Sequence, residues 1–160
     1  MKEIEIKTII FEYNNINDLS EEDRKLIQKA KNAAKRAYAP YSKFNVGACI
    51  LLENGEFIEG NNQENAAYPS GLCAERVALF YANSLYPDVA VKTLAVAVFT
   101  KNQYIENPIP PCGSCRQVLL ETEKRFNKPI KLILTGEKAI QIIREVKDLL
   151  PLSFDQKMLQ

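Results

Sequence analysis

The stretch that decides the fold is "VKTLAVAVFT", Val91–Thr100. Only Lys92 in it is charged, and β-branched residues recur along it. Such a run predicts a strand covered on both faces, because a half-solvated strand would alternate apolar with polar. A strand covered on both faces needs a layer on each side. The neighbouring segments supply candidates for both layers and for the rest of the sheet.

Upstream, "NVGACILLENGEFIEGNN" (45–62) reads as a hairpin: an apolar run, an Asn54-Gly55 turn and a return strand. "CAERVALFYANSLY" (73–86) reads as a helix stopped by Pro87. Downstream, "PPCGSCRQVLLETEKRF" (110–126) opens on prolines and continues as a helix. The loop "KNQYIENPIPP" (101–111) separates it from the strand. "KPIKLILTG" (128–136) is a further strand, "AIQIIREV" (139–146) a weaker one, and "VKDLLPLSF" (146–154) a short helical turn and a tail.

Near the start, Ser20 reads as an N-cap with Asp23 in the reciprocal capping position. Leu26, Ile27, Ala30, Ala33, Ala34, Ala37 and Tyr38 follow at helical spacing, so a helix is expected until Pro40. "IEIKTIIFEY" (4–13) predicts one more strand. The order of elements implies an α/β fold, a three-layer α/β/α sandwich with one central mixed sheet. One domain is expected over residues 1–160, since 160 residues are too few for two comfortable ones.

Composition narrows the chemistry. Charged residues make up 26% and net charge is +1, so a polyanion is not the expected partner. No run is long enough for a membrane span, and "MKEIEIKTIIFEYN" lacks the apolar core of a signal peptide. A cytoplasmic location is expected. Four cysteines then read as thiols or metal ligands and not as a disulfide framework. The chain has no histidine. Ser-His-Asp and Cys-His nucleophile systems are therefore excluded, as is any His metal ligand.

Cys112 and Cys115 form a C-x-x-C at a predicted helix start. Alone, it fits a redox pair, half of a zinc site or coincidence. Cys73 also stands at a predicted helix start. Two helix N-termini carrying three thiols can converge on one metal, and the helix dipole favours thiolate there. Three protein ligands leave a position open for water, as in catalytic zinc sites. Cys49 lies inside an apolar run and reads as core. Glu75 could be an ordinary acid at a helix start, or could take a proton from a metal-acidified water. Arg76 and Arg116, each just after a motif element, are candidate donors to the sulfurs.

C-A-E followed by P-C-x-x-C resembles the zinc-dependent nucleoside and nucleotide deaminase superfamily, and within it the small homotetrameric cytidine deaminases. The resemblance runs through "AYAPYSKFNVGA" (37–48), "GNNQENAAYPSGLCAERVAL" (60–79), "PPCGSCRQVL" (110–119) and "DLLPLSF" (148–154). Residues 1–19 form a poorly matched N-terminal extension. The resemblance implies one Zn²⁺ per protomer on Cys73, Cys112 and Cys115, with Glu75 as proton shuttle. It implies that Asn62 and Glu64 hold the ribose 3′-hydroxyl and that Phe44 lines the nucleoside site. Phe154 would come from a neighbouring subunit, the Ala74 N–H would bind the 2-oxo group, and a carbonyl near Pro110 would accept from the leaving amino group. The implied activity is hydrolytic deamination of free cytidine and 2′-deoxycytidine in pyrimidine salvage, by a homotetramer with shared active sites. A polynucleotide cytosine deaminase, a noncatalytic zinc-binding domain and a thiol redox protein are the alternatives.

Overall fold

The computed structural model describes residues 1–159. Seven strands form one sheet: β1 (Phe11–Tyr13), β2 (Asn45–Leu52), β3 (Phe57–Asn61), β4 (Val91–Thr100), β5 (Gln103–Tyr104), β6 (Lys131–Thr135) and β7 (Ile140–Ile143). Three helices accompany them: α1 (Glu21–Ala34), α2 (Ala74–Leu85) and α3 (Gly113–Phe126). The sheet order is β1-β7-β6-β4-β2-β3, with β5 paired to β4. Only β4 and β6 are parallel, so the sheet is mixed. β4 is central and buried along most of its length, as its unbroken apolar pattern requires.

The pleat separates two cores. Ala48, Ile50, Leu94, Val96, Leu132 and Leu134 pack with Ala78 and Leu79 of α2 and Leu119 of α3. Cys49, Leu51, Ala95, Ala97 and Ile133 pack with Leu26, Ile27 and Ala30 of α1. This is the α/β/α layering expected of the sequence. Ser20 caps α1, its hydroxyl accepting from the Asp23 N–H at 3.1 Å. Gly55, at φ 87°, makes the β2–β3 turn.

Gly60 fixes where α2 lies. A Cβ built on it would stand 2.4 Å from the Ala78 nitrogen and 2.8 Å from the Ala74 oxygen. Backbone of β3 and backbone of α2 are thus in direct contact, which only glycine permits. The helix carrying Cys73 and Glu75 is seated by that contact.

Three sequence expectations are corrected. α1 ends at Ala34 and not at Pro40. Tyr38 is drawn into a bridge, its N–H donating to the Asn62 carbonyl at 3.0 Å and its carbonyl accepting from the Glu64 N–H at 2.8 Å. Those long-range bonds compete with another helical turn and win. The start of the 101–111 loop folds back as β5, through Lys101 and Asn102 at φ 51° and 61°. Two successive left-handed residues are what a two-residue hairpin turn needs. The strand expected over 4–13 is confined to Phe11–Tyr13, which pairs with β7. Among the described residues, no helix is long and apolar enough to cross a membrane.

Candidate functional site

Cys73 is the N-cap of α2 and Cys112 the N-cap of α3. Neither helix start has a side-chain cap hydrogen bond, so first-turn N–H groups of both helices lack both a capping side chain and an intrahelical acceptor. Cys115 lies one turn into α3 and is buried. The sulfurs of Cys73 and Cys112 are 3.8 Å apart, and those of Cys112 and Cys115 are 3.6 Å apart. All three lie within 4.8 Å of one another and could hold a metal ion. Tetrahedral zinc with Zn–S near 2.3 Å needs S···S edges of ~3.8 Å. The donor set therefore fits zinc in both softness and spacing. Cys49 is elsewhere, in the core beneath α1, with its thiol pushed up to about 12 by burial and then by Glu59.

The three thiols are electrostatically unequal. Hydrogen bonding from Cys115 lowers the Cys73 thiol to about 5, with Arg76 and Cys112 assisting. The Cys115 thiol is raised, first by holding the proton in that bond and then by burial. Arg76 Nη2 stands 3.8 Å from the Cys73 sulfur. Its Nε is buried without a hydrogen-bond partner among the described residues. A guanidinium so placed offsets negative charge gathered on the sulfurs.

Arg116 does something different from the expected bond to sulfur. Its Nε donates to the Pro111 carbonyl and its Nη1 to the Leu149 carbonyl, both at 2.9 Å. It ties the segment before Cys112 to the 3₁₀ turn at Val146–Leu149. Glu123, another buried acid, has a structural use: its carboxylate accepts from the N–H groups of Ile130, Val146 and Lys147 at 2.8–3.2 Å.

Glu75 is 5% exposed and lies in the first turn of α2, beside the thiols. Burial raises its carboxyl above the usual range, and the Cys73 charge pushes the same way. A cavity of about 670 Å³ opens on it, lined by Phe44, Asn62, Glu64, Cys73, Ala74 and Pro110 among others. Val46, Val96 and Val98 line it from β2 and β4. That volume suits a nucleoside-sized molecule.

Asn62 and Glu64 reach the cavity already engaged. The Asn62 amide accepts from the Val46 N–H at 2.7 Å and donates to the Phe44 carbonyl at 3.0 Å. Glu64 accepts from the N–H groups of Tyr41 and Ser42 at 2.9 and 3.2 Å, and from the Ser42 hydroxyl. The Ser42 hydroxyl is the main reason that the Glu64 carboxyl is held below its ordinary value. Both side chains therefore brace the 41–46 segment that presents Phe44. Sequence reasoning missed this, because the partners are 16 to 23 residues apart. Phe154 is 58% exposed and does not line the cavity of its own chain. Its carbonyl accepts from Gln117 Nε2 at 2.9 Å.

The geometry agrees with three comparisons. Residues 20–127 match the model of the cytidine and deoxycytidylate deaminase zinc-binding region. The chain is 43% identical over 129 residues to a cytidine deaminase of Halalkalibacterium halodurans, covering 81% of this chain and 91% of that one. It is 42% identical over 133 residues to a cytidine deaminase of Sporosarcina psychrophila, covering 83% and 91%. The crystal structure of cytidine deaminase from Burkholderia pseudomallei superposes with a TM-score of 0.70 at 36% identity, over 85% of this chain and all of that one.

Proposed function

The chain belongs to the cytidine and deoxycytidylate deaminase family and is a cytidine deaminase; from that premise we propose that it hydrolyses free cytidine and 2′-deoxycytidine to the uracil nucleosides, as a cytoplasmic salvage enzyme. The observation that carries the reading is a buried carboxylate beside a three-thiol cluster, both opening on one nucleoside-sized cavity.

Cys73, Cys112 and Cys115 would hold the zinc. Bound there, zinc supplies Lewis acidity that brings the pKa of a water close to 7. The chain's own residues do the rest. Glu75 takes a proton from the attacking water and delivers it to N3 of the cytosine ring, which makes C4 electrophilic, and the water oxygen adds to C4. It then takes the remaining proton from the hydroxyl added at C4 and delivers it to the amino nitrogen; the C4–N bond breaks as the C4 carbonyl forms, and ammonia leaves. Burial suits it to taking the proton, because a raised carboxyl holds a proton more readily than a solvated one. The Ala74 N–H, at the helix start, would donate to the 2-oxo group. The Pro110 carbonyl would accept from the leaving amino group. Arg76 stabilises the thiolates.

Asn62 and Glu64 are assigned the ribose 3′-hydroxyl, and Phe44 a face of the nucleoside. Three donors from this chain keep Glu64 ionised, so it presents an acceptor only. A 3′-phosphodiester would lose the hydroxyl proton and bring negative charge toward that carboxylate. This favours nucleosides over polynucleotides. Phe154, exposed and outside its own cavity, is assigned to the cavity of a neighbouring protomer in a homotetramer. The test compares kcat/KM for cytidine, 2′-deoxycytidine, 3′-deoxycytidine and a single-stranded cytosine oligonucleotide. The first two should react and the last two should fall by ~10² or more. Comparable rates on the oligonucleotide would overturn the nucleoside assignment.

A further inference from the structure

Residues 2–10, "KEIEIKTII", lead directly into β1, the edge strand of the sheet. Over residues 3–8, Ile4, Ile6 and Thr8 alternate with Glu3, Glu5 and Lys7, the period of a half-buried strand, while Lys2 and Ile9 fall outside the alternation. Ile4 is 75% exposed, Ile6 54%, Ile9 62% and Ile10 49%. Among the described residues, no backbone group of Lys2–Thr8 bonds to other backbone. The Thr8 hydroxyl anchors the segment to the Asp148 carbonyl at 2.6 Å, and Lys7 and Glu5 pair with each other at 3.3 Å on the polar side. An apolar strand face and two open backbone edges are thus left in water.

We propose that this arm is an interaction surface for a second copy of the chain, pairing antiparallel with its own counterpart about Ile6. The register follows from charge. With Ile6 opposite Ile6, Ile4 meets Thr8 on the apolar face, and Glu5 meets Lys7 twice on the polar face. Sliding one copy so that Glu5 meets Glu5, or Lys7 meets Lys7, places like charges directly opposite, which is unfavourable. A register about Ile4 sets Glu3 against Glu5. Registers that pair even with odd positions put isoleucines against glutamates and lysine. Among these, only the Ile6-centred register matches both faces over Ile4–Thr8 without a like-charge pair; beyond that core it sets Glu3 opposite Ile9 and Lys2 opposite Ile10. A two-stranded ribbon is marginal by itself. Here each arm continues into β1, so pairing prolongs two existing sheets, and any other contact between copies raises the arms' effective concentration.

The test is a cysteine scan of the arm in the full-length, zinc-loaded enzyme under mild oxidation. Residues directly opposite have Cβ atoms about 4.5–5.5 Å apart, near disulfide reach, whereas a position displaced by two is about 7–8 Å away. Ile6→Cys should give a disulfide-linked chain pair, at least ~10-fold faster than Glu5→Cys. Adding Glu5→Lys to Ile6→Cys should slow the cross-link, because the new ammonium group then faces Lys7 of the other copy. Combining Glu5→Lys with Lys7→Glu should restore it. Equal cross-linking at positions 5 and 6, no cross-link at position 6, or indifference to the charge swap would each overturn the proposal.

Discussion

Gly60→Ala tests whether α2 is seated by backbone contact. The new methyl would lie 2.4 Å from the Ala78 nitrogen and 2.8 Å from the Ala74 oxygen. Ordinary non-bonded contact begins near 3.5 Å, so α2 must move away from β3 by about 1 Å. No flexible side chain can absorb the clash, since its nearest atoms are all backbone. Overpacking of this kind costs about 1–3 kcal/mol, and the rigid neighbours place this case at the upper end. For a chain of this size 1 kcal/mol shifts Tm by roughly 2–4 °C, which predicts a fall of roughly 6–12 °C. The same displacement moves Cys73 and Glu75 with the helix, so zinc retention during dialysis against a chelator should drop as well. Gly113→Ala is the control. It lies between the ligand cysteines, yet an added Cβ has nothing within 4 Å. Gly113 is the first residue of α3, so alanine there should leave Tm at or slightly above the parental value. The assay is differential scanning fluorimetry with elemental analysis. A Gly60→Ala protein with parental Tm and zinc content would refute the seating argument.

Cys115→Ala should lose most of its zinc by elemental analysis, while Cys49→Ala keeps it, because only Cys115 stands within the thiol cluster. With the Cys49 thiol at about 12, about one in 10⁴ is thiolate at pH 8, and thiolate is the nucleophile. Iodoacetamide should therefore leave Cys49 unmodified until the protein unfolds, as read by peptide mass. Arg116→Ala frees the carbonyls of Pro111 and Leu149; removing two hydrogen bonds from a charged donor should cost about 2–4 kcal/mol in urea unfolding. Truncation after Leu150 should weaken nucleoside binding without removing zinc, if Phe154 completes a neighbour's cavity.

What was legible in the sequence was what neighbouring residues specify together. Ser20 with Asp23, the Asn54-Gly55 turn and the unbroken run of β4 each carry their structure locally, and the layering follows from them. The end of α1 was not legible, because Ala37 and Tyr38 suit a helix and only the distant Asn62 and Glu64 draw Tyr38 away. The β5 turn was hidden for a related reason, since Lys101 carries no left-handed preference. At the site, the thiol spacing and the glutamate two residues after Cys73 were readable from motif and helix-start chemistry. The bracing of Ser42 and Phe44 by Glu64 and Asn62 was not, and neither was the reach of Arg116 to Leu149. Each depends on the tertiary fold bringing separate segments together.

Glu75 is proposed to move the proton in zinc-dependent hydrolysis of cytidine. The direct measurement is the ultraviolet rate of cytidine conversion by the parent and by Glu75→Gln, with zinc content and Tm measured on the same samples. The amide keeps the size of the side chain but cannot accept and return a proton. The parent should convert cytidine to uridine, and the variant should stay folded and zinc-loaded with kcat lower by more than ~10². A folded, zinc-loaded Glu75→Gln protein that turns over cytidine at near the parental rate would contradict the account.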